Sequence, residues 1–144
     1  MANVKVVDSG IADTFYAINI AFNIDKKNFL LSLNKDKKYE TRSILPSGKL
    51  GAHIEDKTFQ HYYDYMQVIY DAFSNKQYLC CISTENKFFE LFIIQNDAKL
   101  IPAETYDYID GFNKTAALFI IDGKFYAYIQ RELDRSWEIT LRNA

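Results

Sequence analysis

The sequence predicts an α+β fold: an antiparallel, curled β-sheet of six to seven strands, arranged as hairpins and packed on one long amphipathic helix at about residues 57–74. Three observations carry this expectation. Apolar residues at Phe59, Tyr62, Tyr63, Met66, Ile69, Tyr70 and Phe73 follow the i, i+3, i+4, i+7 spacing of a helix with one buried stripe. Most of the remaining chain alternates apolar and polar residues, which is the period of strands. A sheet with one apolar face needs a cover, and the helix supplies it.

The strongest strand signal runs from Tyr16 to Ile24. Tyr16, Ile18, Ile20, Phe22 and Ile24 share one face, and Ala17, Asn19, Ala21 and Asn23 the other. One wet face implies an antiparallel sheet. Asp25 to Asn28 turn the chain into a second strand, Phe29 to Leu33, while the first thirteen residues hold at most a short edge strand at Val4 and Val6. Lys35, Lys37 and Lys38 read as a solvated hairpin tip. A short strand over Tyr39 to Ile44 is followed by a loop, 46–54, marked by Pro46, Ser47, Gly48 and Gly51. Asp56 or Thr58 caps the helix, Glu55 and Asp56 suit its positive end, and Ser74 with Asn75 stops it.

Beyond the helix come Tyr78 to Ser83, a turn at 84–87, and Phe88 to Gln95. The segment Ile101 to Asn113 separates this hairpin from Ala116 to Ile121, where Asp122-Gly123 is a two-residue hairpin signal into Phe125 to Gln130. The last strand puts Trp137, Ile139 and Leu141 on one side and Glu138, Thr140 and Arg142 on the other. Strands 88–94 and 116–121 are apolar on both faces, which places them at the sheet centre. A loose repeat begins near residues 15, 78 and 116; three hairpins of one sheet account for it more simply than a propeller or solenoid.

The chain has 144 residues, an apolar fraction of 49% and an aromatic fraction of 16%, enough for one domain spanning 1–144. The net charge of −2 divides as +2 over residues 1–57 and −4 over 58–144, which speaks against a nucleic-acid partner. No apolar run approaches the length of a membrane span, and the N-terminus lacks the pattern of a secretory signal. Adjacent Cys80 and Cys81 point to opposite faces of a strand, so they read as free, half-buried thiols in a reducing compartment. The expected location is the cytoplasm.

Chemistry is sparsely encoded. His53 and His61 have Glu55, Asp56 and Asp64 near them in sequence, but the spacings match no metal-ligand signature. On a helix, His61 and Asp64 read as a surface pair with no nucleophile beside them. Ser47, Gly48, Lys49 and Gly51 lack the Ser or Thr and the strand-to-helix junction of a phosphate loop. The sequence therefore predicts no catalytic residue, no metal and no cofactor.

What remains is recognition. Glu104, Tyr106, Asp107, Tyr108 and Asp110 interleave carboxylates with tyrosines. Asp64, Tyr65 and Asp71 extend the same chemistry on the polar side of the helix. Carboxylates speed encounter with a basic protein, and tyrosines supply the rigid area that slows its release. The expected function is a non-enzymatic protein-binding domain that masks a basic partner. In size, charge and element order the chain resembles some bacterial toxin-immunity proteins, which implies a small inhibitor or antitoxin-like antagonist; the Asn, Lys, Ile and Tyr-rich composition suits a bacterial or phage genome. Two alternatives stand beside it. One is a small-ligand pocket, or an enzyme, using His53 and His61. The other is a subunit of a larger assembly, including a homodimer, whose doubly apolar strands meet a partner.

Overall fold

The computed structural model describes residues 4–83, 88–107 and 114–141, and among them the architecture is all-β, with eleven antiparallel strands in three sheets and no helix. The expected α+β class is overturned. No helix among the described residues is long and apolar enough to cross a membrane.

Each sheet is a meander in which consecutive strands pair through short turns. The first joins β1 (Tyr16–Ile24), β2 (Lys27–Asn34), β3 (Lys38–Ile44) and β4 (Leu50–Thr58). A second joins β5 (Tyr65–Asp71), β6 (Lys76–Ser83), β7 (Phe88–Ile94) and β8 (Leu100–Asp107). The third joins β9 (Lys114–Ile121), β10 (Lys124–Arg131) and β11 (Trp137–Leu141). Their first strands begin at Tyr16, Tyr65 and Lys114, a spacing of 49 residues each time. The chain is thus a structural repeat, and its sheets are three, not the single sheet of hairpins expected above.

The helix expected at 57–74 is replaced by the end of β4, an irregular 59–64 segment, β5 and a turn. Phe59 and Tyr63 of the supposed stripe are buried, yet Tyr70 and Phe73 are 57% and 80% exposed, which no core-facing stripe permits. The physical reason is residue type. Tyr65, Val68, Ile69 and Tyr70 are aromatic or β-branched and favour a pleated surface. A stretch this dense in apolar residues fits both periods. Asn75 does adopt the left-handed conformation, at φ 56°, but it closes the β5–β6 hairpin instead of a helix. With the helix goes the element order on which the resemblance to immunity proteins rested.

The chain clusters into two compact units, Met1–Tyr62 with Asn96–Lys99, and Tyr63–Gln95 with Leu100–Ala144. The first holds β1–β4. Asp25 and Lys26, at φ 48° and 67°, form a two-residue primed turn between β1 and β2. One face of this sheet is apolar: Phe22 stacks on Phe29, and Leu31, Leu33 and Tyr39 are buried. Residues 46–54, expected as a loop, contribute a turn through Gly48 and then most of β4, so His53 sits on a strand.

The second unit packs two sheets against each other. Cys80, Ile82, Phe89 and Leu91 from β6 and β7 form one core cluster with Leu118, Phe125, Ala127 and Ile129 from β9 and β10. Gln67 Nε2 donates to the Leu118 carbonyl at 2.9 Å, tying the second sheet to the third. Both cysteines are free and fully buried, so the half-buried reading is corrected. β7 is an inner strand as expected, but β9 is the end strand of its sheet, not a central one.

Candidate functional site

Two surfaces gather chemistry, one on each unit. The first is the polar face of the β1–β4 sheet. Pairing places Asn19, Ser32, Glu40 and Asp56 in one row across the four strands. Ser32 Oγ donates to Asn19 Oδ1 at 2.7 Å. The next row would hold Arg42 and Ile54 in a regular ladder. A bulge between Thr41 and Arg42 makes Ile54 the extra residue, so His53 pairs with Arg42 and joins the same face.

His53 Nδ1 consequently lies 3.3 Å from Glu40 Oε2. Ligand atoms of Glu40, His53 and Asp56 all fall within 4.8 Å of one another. Tyr16 donates its hydroxyl to Glu40; burial and that carboxylate together raise the phenol above its usual range. Arg42 Nε donates to the Gly51 carbonyl at 2.9 Å. The residues ahead of β1 cross beside this face, where Asp8 Oδ2 accepts from the Leu50 amide at 2.9 Å. Asp8 is held below the usual carboxylate range by that bond and by the Ser9 amide. Between this segment and the sheet lies an open groove of about 580 Å³ lined by Asp8, Tyr16, Ser32, Glu40, Arg42 and Leu50, among others.

The second surface is the outer face of the β9–β11 sheet. Cross-strand pairs put Phe119, Tyr126 and Leu141 in one row and Ala117, Tyr128 and Ile139 in the next, with Gln130 beside Trp137. Tyr126 stacks on Phe119 at 5.5 Å and Tyr128 on Trp137 at 6.0 Å. Trp137, Ile139 and Leu141 are 62%, 53% and 39% exposed, while Glu138 and Thr140 on the opposite side are half-buried. The apolar side of β11 therefore faces away from the core.

The residues expected to form an acidic, tyrosine-bearing surface are scattered. Tyr65 is exposed on β5 and Glu104 is exposed on β8, which are the two opposite edges of one sheet. Asp71 is buried. Its oxygens accept from the Phe73 amide at 3.0 Å and the Ser74 hydroxyl at 2.6 Å, so it shapes the β5–β6 turn. Asp64 is half-buried ahead of β5, with its amide bonded to the Ile82 carbonyl. Tyr106 and Asp107 end β8 opposite Phe89 and Phe88. Tyr108 and Asp110 lie outside the described residues. Tyr63 turns inward, donating to Glu90, and burial with that bond holds its hydroxyl protonated.

Sequence reasoning set His53 beside Asp56 but missed Glu40, and it missed the aromatic face altogether. Glu40 and Asp56 are neighbours only through strand pairing, and the bulge that re-aims His53 leaves no composition signal. The aromatic face had a signal, the alternation of Trp137, Ile139 and Leu141, but alternation does not say which side is wet. No protein-family model matches this chain, and no curated protein matches it.

Proposed function

We propose that this chain is a non-catalytic protein-binding domain whose first partner is a second copy of itself, joined through the outer face of the β9–β11 sheet. The observation that carries the reading is the row of exposed Trp137, Ile139 and Leu141 beside Tyr126, Tyr128 and Phe119. The β9–β11 sheet exposes a contiguous aromatic and aliphatic outer face, the mark of an interaction site. Its inner face is already covered by a sheet of the same kind, which points to another such sheet as the natural cover of the outer one.

A two-fold contact would set this patch against itself, as closed dimers require. The face suits that arrangement. Its centre is aromatic and aliphatic, and the polar residues of β10 that share it, Lys124 and Gln130, lie toward opposite ends of the strand. The two thiols, the strongest nucleophiles in the chain, are sealed in the interior with their pKa pushed up by burial, which fits binding better than turnover.

Trp137 is the only tryptophan and reports on its own burial. Light scattering should give twice the chain mass, with Trp137 emission shifting to the blue as concentration rises. Trp137→Lys and Ile139→Lys should both yield a folded monomer. A wild-type chain that stays monomeric up to its solubility limit, with Trp137 open to aqueous quenchers, would refute the proposal. A second reading, the masking of a basic protein, draws on exposed Glu104 on β8, an edge strand of its sheet among the described residues. Glu104→Lys separates the two, since it leaves self-association intact and abolishes capture of a cationic protein only if the second holds.

A further inference from the structure

We propose that Glu40, His53 and Asp56 form a binding site for a first-row divalent metal ion of the zinc type. The inference is independent of self-association, because these residues lie on the polar face of the β1–β4 sheet. An imidazole and two carboxylates make a mixed nitrogen and oxygen donor set that suits such ions better than magnesium or calcium. Their ligand atoms lie within 4.8 Å of one another. A metal with ligand distances of roughly 2.1 Å needs donors a little closer than that, a change within reach of side-chain rotation on exposed His53 and Asp56.

Two features of the sheet favour a cation at this place. Glu40 and Asp56 are cross-strand partners, and like charges directly opposite destabilise a sheet. Arg42, the next residue of that face on β3, is anchored through its Nε to the Gly51 carbonyl and brings one positive charge against two carboxylates. The Asp56 carboxylate has no hydrogen bond or ion pair among the described residues. The second feature is the bulge. An unbroken ladder would set Ile54 beside Asp56 on this face; the inserted residue brings His53 there instead, at 3.3 Å from Glu40. Strand bulges recur where a side chain must be re-aimed for function.

Three protein donors leave coordination positions open. Glu40 also lines the groove of about 580 Å³, so an open position borders space for water or a small anionic ligand. Tyr16, hydrogen-bonded to Glu40, acts as a positioning residue that fixes the carboxylate's orientation.

The test titrates the full-length, metal-stripped chain with Zn(II) alone, by calorimetry and by competition with a chromophoric chelator. One ion per chain is expected. His53→Ala and Asp56→Asn should each weaken binding by roughly tenfold or more, while His61→Ala should not change it. Co(II) offers a second readout, a visible absorption band that disappears in Asp56→Asn even where that variant's circular dichroism is unchanged. Magnesium should not displace the zinc. The proposal falls if no saturable binding is seen, if binding persists in both His53→Ala and Asp56→Asn, or if it is lost on replacing His61.

Discussion

At the scale of single residues, the interior of this chain is set against alkali. Burial pushes the Cys80 thiol up from its ordinary 9.0, and burial with Cys80 and Glu90 beside it pushes Cys81 up as well. Burial and Glu90 do the same to Tyr63, and burial with Glu40 does so to Tyr16, each from an ordinary 10.0. All four groups are neutral when protonated, and folding raises the pKa of each. The unfolded chain therefore releases these protons before the folded one does. Their effect on stability is absent below about pH 9, and stability falls as pH climbs through 9.0 and 10.0. Urea unfolding midpoints should be level from neutral pH to the onset of thiol ionisation and then drop. Cys81→Ala should flatten part of that drop. A thiol reagent should label neither cysteine until the chain unfolds.

At the scale of elements, turns were legible and strand pairing was not. Asp122-Gly123 was readable because a primed turn demands positive φ at both positions; here the values are 50° and 76°. The β1 alternation was readable because its two faces differ in polarity. The 58–73 stretch failed because a run with tyrosines at 62, 63, 65 and 70 satisfies helix and strand periods together, and only pairing with β6 decides between them. That misreading also displaced the loose repeat, whose middle unit begins at Tyr65 instead of near 78, as the turns at Asp25-Lys26, Ser74-Asn75 and Asp122-Gly123 mark. Of the metal candidates, His53 and Asp56 were legible as neighbours in sequence, and Glu40 was not, because it meets them through register. One element-scale prediction follows from the β9–β10 turn. A Cβ at Gly123 would adopt left-handed φ and approach Phe73 Cδ1 to 3.1 Å, across to the β5–β6 turn. Gly123→Ala should cost about 1–2 kcal/mol in urea unfolding, from the backbone conformation first, since exposed Phe73 has room to move. The double variant Gly123→Ala with Phe73→Ala should recover only a minor part of that loss.

At the scale of the whole molecule, the architecture repeats a meander every 49 residues, and where neighbouring repeats pack together their shared interface adds to the stability of each. In the unit that holds β5–β11 that interface is explicit: Leu91 from one sheet and Leu118 from the next belong to one buried cluster, and both are nearly inaccessible to solvent. Leu91→Ala and Leu118→Ala should each cost about 2–5 kcal/mol, the range for a cavity that its surroundings only partly fill. Because the two side chains share one core, the double variant should lose less than the two losses combined, by an interaction of about 0.5–3 kcal/mol. Leu141 provides the contrast. It is on the other face of the third sheet, so Leu141→Ala paired with Leu118→Ala should be additive under conditions where the chain is monomeric. In a self-associated chain Leu141 becomes buried, and its replacement should then cost stability that depends on protein concentration. A cycle that is additive for Leu91 with Leu118 would mean that the two sheets do not support each other, and the repeat would be a pattern of chain direction without shared packing.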